Sequence, residues 1–196
     1  MKRICVFCGS SRGAGDQYIN AAKELGFTLV KQNIGLVYGG ASVGLMVEIA
    51  NTFIAEGAEV IGVIPKALVD REVACSTLPD LRVVASMHER KSLMVELSDG
   101  FIALPGGLGT IEEFFEVLTW AQLGIHEKPC GILNINGYFD HLIEFLNHTV
   151  NQKFIEEEHR SMILIDNDPA ELIKKFTSYE APTIDKTKRV LEMANS

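Results

Sequence analysis

The sequence predicts a doubly wound, Rossmann-like α/β fold, a parallel sheet flanked by helices in a single domain. Two observations carry the prediction. Short apolar runs rich in Val, Ile, Leu and Phe alternate along the 196 residues with longer segments of helical period. The runs also lack the in–out alternation of a half-exposed strand, as expected where both faces are covered by helices.

The elements follow in order. A first strand at residues 4–8 stops at Gly9, and residues 18–31 carry apolar positions at helical spacing. A second strand at 35–38 leads through Gly39-Gly40 into a helix at 44–57. A third, at 60–64, precedes the longest irregular piece, 65–81, which holds two prolines and the charges Lys66, Asp70, Arg71 and Glu72. A loop that long in a compact domain is more often functional than idle. Strand–helix pairs follow at 82–85 with 89–97, at 101–104 with 111–123, and at 130–134 with 139–151. A last strand at 162–165 precedes a helix at 169–177, with Asp168 as N-cap and Pro169 in the first helical position. The domain is expected over residues 1–179, and 180–196 as a polar tail with a short helix at 186–193.

Composition excludes several classes. A net charge of −8 argues against a broad nucleic-acid surface, which needs clustered Lys and Arg. The apolar run after Lys2-Arg3 is too short for a targeting segment, and no stretch approaches the ~20 residues of a membrane span. A cytoplasmic location is therefore expected. Cys5 and Cys8 form a C-x-x-C, but positions three apart in a strand face opposite ways. With no matching second pair, Cys5, Cys8, Cys75 and Cys130 read as buried free thiols. His126, His141, His148 and His159 show no ligand spacing, and no metal is expected.

In open parallel sheets ligands bind beyond the carboxyl ends of the strands. The loops there include Gly9-Ser10-Ser11, Gly39-Gly40 and Leu104-Pro105-Gly106-Gly107-Leu108-Gly109-Thr110-Ile111-Glu112-Glu113. The last joins a buried strand to a helix, so its amides and the helix N-terminus can cradle an anion, with two carboxylates expected in the first helical turn. The dinucleotide pattern G-x-G-x-x-G fails from both Gly107 and Gly13, and no Gly-Lys-Ser/Thr triplet occurs. A nicotinamide oxidoreductase and a P-loop NTPase are thereby disfavoured, and a monophosphate fits better. Thr110 and Glu113 also match a capping box, which would give Glu113 a purely structural role. The basic cluster Met87-His88-Glu89-Arg90-Lys91 offers either a phosphate-binding pair or a solvated helix face with local ion pairs.

These motifs together resemble the LONELY GUY family, the cytokinin riboside 5′-monophosphate phosphoribohydrolases, many of which carry an older lysine decarboxylase label. The family pattern P-G-G-x-G-T-x-x-E reads here as residues 105–113, and M-H-x-R-K as 87–91. Similarity extends through Cys8-Gly9-Ser10-Ser11, Tyr38-Gly39-Gly40, Gly44-Leu45-Met46, Ile64-Pro65 and residues 119–124. The resemblance implies hydrolysis of the N-glycosidic bond of an adenosine-type 5′-monophosphate to free base and ribose 5-phosphate, without a cofactor. It implies Arg90 and Glu113 as catalytic residues. It places substrate on Glu72, Arg90, Lys91, Gly106, Gly107, Leu108, Gly109, Thr110, Ile111, Glu112 and Thr119. It also implies a homodimer or a multiple of dimers. Gly9, Ser10, Ser11, Gly39 and Gly40 are further candidate nucleotide contacts from their place at the strand ends. Two rival readings stand beside it: a non-catalytic nucleotide sensor, and a decarboxylase holding pyridoxal phosphate on Lys91.

Overall fold

Seven strands form one sheet in the computed structural model, which describes residues 1–69, 71, 74, 75 and 77–182. They are β1 (Arg3–Phe7), β2 (Gly35–Tyr38), β3 (Val60–Pro65), β4 (Asp80–Val84), β5 (Gly100–Ala103), β6 (Cys130–Leu133) and β7 (Ile163–Asp166). Their order is β4-β3-β2-β1-β5-β6-β7, and every neighbouring pair is parallel. The helices are α1 (Asp16–Lys31), α2 (Gly44–Ala55), α3 (Lys66–Val69), α4 (Met87–Leu97), α5 (Leu108–Gln122), α6 (Asp140–Asn151), α7 (Glu157–Ser161) and α8 (Pro169–Thr177).

The period of two along β1 divides the core into two layers. Ile4 and Val6 face Leu25 and Leu29 of α1, Ile49 and Phe53 of α2, and Phe176 of α8. Cys5 and Phe7 face Met94 of α4, Phe114 and Val117 of α5, and Leu146 of α6. Fully burying one such side chain stabilises the fold by roughly 1.5–3 kcal/mol, so both layers contribute heavily. Cys5 and Cys8 fall in opposite layers, and all four cysteines are free and buried. Burial pushes the thiols of Cys5, Cys8 and Cys130 upward, which keeps them protonated and inert.

Strand β1 lies between β2 and β5, so the chain reverses direction across the sheet at that point. It runs outward from β1 to β4, and α4 then crosses back over β3, β2 and β1 to start β5. The loops after β1 and β5 diverge there, and Gly9 N–H donates to Pro105 O at 3.0 Å. This is the switch point at which open α/β sheets bind ligands.

Two short helices escape the sequence pattern, α3 within the segment expected to be irregular and α7 ahead of β7. Single turns are too short to display a helical period. The helix expected at 111–123 begins three residues earlier, at Leu108. Glu112 and Glu113 therefore lie in its second turn, not its first. Asp168 caps α8 as expected, its carboxylate accepting from Ala170 and Glu171 N–H at 2.8 and 3.0 Å. The helix expected at 186–193 and the site candidate Glu72 lie outside the described residues. No helix among the described residues is long and apolar enough to cross a membrane.

Candidate active site

The basic cluster sits on the first turn of α4. Ser86 caps that helix by accepting from Glu89 N–H at 3.2 Å, and Glu89 reaches back to Ala85 N–H at 2.8 Å. The Glu89 carboxylate thus takes the amide just before the cap and is spent on the helix end. Arg90, the next residue, turns inward and is only 7 % exposed. Its Nε donates to Val63 O at 3.0 Å, and its Nη1 donates to Glu113 Oε1.

Glu113 is thus a partner of Arg90 across two helices and does not cap its own. The N-cap of α5 is Gly107, with no side-chain hydrogen bond, and Thr110 lies inside the helix. The capping-box reading of Thr110 and Glu113 is overturned. A buried guanidinium facing one carboxylate requires that pairing, because either charge alone in the interior is costly.

A second ion pair lies beside the first. Lys91 Nζ reaches Glu112 Oε1 at 2.7 Å and Glu116 Oε1 at 2.9 Å. Residues four apart share a helix face, so Glu112 and Glu116 grip the ammonium from one side of α5. The Glu112 contact, opposed by partial burial and joined by Glu116, holds Lys91 above the usual lysine range. Arg90 and Lys91 therefore belong to facing pairs, not to a solvated surface. The structure adds Glu116, which sequence reasoning missed although its i+4 spacing from Glu112 was readable.

The glycine-rich loop forms one wall of a pocket of about 300 Å³. Gly9 to Gly13 form another wall, and Tyr18, Leu45 and Tyr138 complete it. Tyr138 O–H donates to Gly106 O at 2.7 Å, and its ring meets Tyr18 edge-on. A Cβ on Gly106 would lie 2.1 Å from Thr110 Oγ1 and 2.8 Å from Gly9 N, so this glycine is needed for packing. A Cβ on Gly107 or Gly109 would meet nothing within 4 Å. Packing does not explain those two glycines, and their lack of a side chain leaves the backbone there open to close approach. The first intrahelical bond here runs from Ile111 N–H to Gly107 O, so the earlier amides of α5 have no partner within their helix. The positive end of the helix dipole lies behind them.

A wider, open groove of about 820 Å³ runs between α1 and the ends of β6 and β7. It is lined by neutral and acidic residues such as Asp140 and Asp166, with no basic side chain to hold a phosphate.

The remaining candidates divide between these places. Gly9, Ser10, Ser11, Gly106 and Gly107 line the smaller pocket, together with Arg12, Tyr18 and Tyr138, which sequence reasoning did not select. Leu108, Gly109, Thr110 and Ile111 form the first turn of α5, with Leu108 fully at the surface and Thr110 buried. Thr119 lies farther along α5, its hydroxyl donating to Phe115 O at 2.7 Å, and outside the pocket lining. Gly40, at φ 72°, packs against Leu81 and Ile64, while Gly39 abuts Arg90.

Residues 46–176 match the family model described as possible lysine decarboxylase. The chain is 52 % identical over 178 residues to the cytokinin riboside 5′-monophosphate phosphoribohydrolase LOG1 of Arabidopsis thaliana, covering 91 % of this chain and 84 % of that one. It is 48 % identical over 178 residues to the cytokinin riboside 5′-monophosphate phosphoribohydrolase LOG of Oryza sativa subsp. japonica, covering 91 % and 74 %. Among solved structures, it superposes on the molybdenum cofactor carrier protein of Chlamydomonas reinhardtii with a TM-score of 0.68 at 20 % identity, over 91 % and 99 % of the two chains. The molybdenum cofactor binding protein of Rippkaea orientalis gives 0.68 at 22 %, over 91 % and 97 %. At such identities the structural likeness speaks for the fold alone.

Proposed function

The chain belongs to the LONELY GUY family of cytokinin riboside 5′-monophosphate phosphoribohydrolases, and from that membership we propose its reaction and its site. It is a hydrolase that cleaves the N-glycosidic bond of an adenosine-type 5′-monophosphate, N6-substituted or plain, to free base and ribose 5-phosphate. The single observation that carries the site is the Arg90–Glu113 pair, held at the switch point beside an open helix N-terminus.

The 5′-phosphate binds at the Gly106–Thr110 turn, against the first amides of α5. Glu113 lies five residues into the helix, on the order of 7 Å along its axis. That rise is comparable to the reach of a ribose from its 5′-phosphate to its anomeric carbon. As the bond from C1′ to the base nitrogen breaks, its electron pair leaves with the base and positive charge develops on the sugar. The Glu113 carboxylate stabilises that charge and accepts a proton from the water whose oxygen bonds to C1′. The departing base takes up a proton in turn. Arg90, fixed by Val63 O, aims the carboxylate, and Glu112 is placed to accept from ribose hydroxyls. Anchoring the phosphate makes the encounter of water, carboxylate and C1′ effectively intramolecular.

A decarboxylase would need a lysine whose amine readily loses its proton to form a Schiff base. Lys91 is held in the opposite state by Glu112 and Glu116. The non-catalytic sensor gives no role to a buried Arg90–Glu113 pair.

Residues 1–179 make the catalytic unit in this reading, which also includes a cytoplasmic location and a homodimer or multiple of dimers. The exposed Leu123 and Ile125 at the end of α5 suit an intersubunit packing, and the net charge of −8 suits a small-molecule substrate over nucleic acid. A panel of nucleoside 5′-monophosphates, including AMP and its N6-isopentenyl form, tests the activity by release of base and ribose 5-phosphate. Release from at least one is expected, and binding without release from any would contradict it.

A further inference from the structure

Gly39 follows β2 directly, and its φ lies outside the left-handed region, so its backbone accommodates an alanine without strain. Two side chains border that position, and one of them blocks it outright. A Cβ on Gly39 would lie 2.4 Å from Arg90 Nη2 and 3.1 Å from Met46 Sδ. The other two nitrogens of the guanidinium are engaged, Nε on Val63 O and Nη1 on Glu113. We propose that Gly39 is a positioning residue for catalysis: its missing side chain is the slot that lets Arg90 reach Glu113 and Val63 together. The proposal rests on the role given above to the Arg90–Glu113 pair.

The guanidinium is a rigid plane, so displacing Nη2 by the width of a methyl group turns Nε and Nη1 with it. One flexible side chain must then withdraw, whereas the backbone and the core layers stay as they are. This separates Gly39 from its neighbour. A Cβ on Gly40, at φ 72°, would press on Leu81, Ile64 and the backbone of Val63, which is a demand of the fold. Gly39 makes its demand on Arg90, and so on the reaction. Met46 is adaptable and can yield.

The test is Gly39→Ala, examined by crystallography, thermal unfolding and steady-state kinetics. The guanidinium is expected to leave Glu113 in the crystal, and because a buried pair is broken the melting temperature should fall by roughly 6–20 °C while the variant stays folded at the assay temperature. The kcat should fall about 100-fold or more while KM stays within about threefold, because a group acting in the transition state is lost without a substrate contact. In an Arg90→Ala background the same substitution should cost no further kcat, since both act through one unit. An unmoved Arg90–Glu113 pair in the variant crystal overturns the proposal, and so does a rise in KM at unchanged kcat. If Gly39→Ala alone does not fold, the double variant with Arg90→Ala, which empties the slot, should fold, and its failure to do so overturns the proposal as well. A wild-type enzyme inactive on every monophosphate would sink the functional reading separately, and the variant crystal would still decide whether Gly39 places Arg90.

Discussion

The guanidinium of Arg90 and the carboxylate of Glu113 meet across α4 and α5 with both groups almost wholly buried. Val63 O, at the end of β3, holds the arginine from its other side at 3.0 Å. The sheet, one helix start and one helix second turn therefore fix a single carboxylate. For Glu113→Gln, which keeps an acceptor for Arg90 but removes the charge, kcat should fall about 1,000-fold with the fold intact. Alanine is the poorer test, because stranding a buried Arg90 costs about 3–5 kcal/mol of stability. Steady-state assay beside thermal unfolding checks this, and retained turnover in a folded Glu113→Gln would assign the chemistry elsewhere.

The side-chain helix cap of this region is Ser86, not Thr110. Ser86→Ala should remove about 1 kcal/mol of stability, read as a fall of about 3 °C in melting temperature. Its kcat should change far less than that of Glu113→Gln, because α4 remains docked through Met94 and Arg90. A melting temperature equal to wild type would show that the Ser86–Glu89 contacts add nothing.

Tyr138 comes from beyond β6 to bond the carbonyl of Gly106, and so braces the loop at which the phosphate is proposed to bind. In Tyr138→Phe the ring and its edge contact with Tyr18 remain while that hydrogen bond goes. The expected result is a KM raised about three- to tenfold, the worth of one net hydrogen bond, at nearly constant kcat. A fall in kcat at constant KM would place Tyr138 in the chemistry instead.

His126 supplies a pH dependence of stability. Lys128 N–H donates to its Nδ1 at 3.1 Å, so Nε2 carries the proton and donates to Val117 O at 2.9 Å. Burial pushes its pKa below the ordinary 6.5; the bond to Val117 O resists this, and the charge of Lys128 adds to it. The unfolded chain therefore binds the proton first. The contribution of His126 is fully present above pH 6.5 and is lost as pH falls from 6.5 toward the depressed folded value. In His126→Gln, unfolding free energy between pH 7 and pH 5 should slope less steeply than in wild type, as followed by denaturant titration at each pH. An unchanged slope would remove His126 as its source.

Much of this arrangement was legible in the chain. Residues such as Ile4, Cys5, Val6 and Phe7 are apolar on both faces, which marks a strand covered twice, and the helical periods between such strands leave little choice of architecture. The loops bearing Gly9 and Gly106 were placed together by the same logic. The capping alternative for Glu113 fails for a plain reason: Thr110 and Glu113 have capping spacing, but the helix starts at Leu108, one turn before a threonine cap would allow. Spacing alone does not reveal where a glycine-rich helix begins. Arg12, Tyr138 and the grip of Glu116 on Lys91 depend on contacts between segments far apart in sequence, which no local pattern carries. The identity of Gly39 reads as a turn until Arg90 is seen against it.

In the proposed mechanism the helix N-terminus of α5 holds a phosphate so that Glu113 meets the glycosidic carbon. Its most direct test compares N6-isopentenyladenosine 5′-monophosphate with the corresponding nucleoside on the wild-type protein, measuring free base and sugar product. Base and ribose 5-phosphate should appear in equal amounts from the monophosphate, with kcat/KM at least about 1,000-fold above that for the nucleoside. No base from the monophosphate, or equal rates from both compounds, would contradict it.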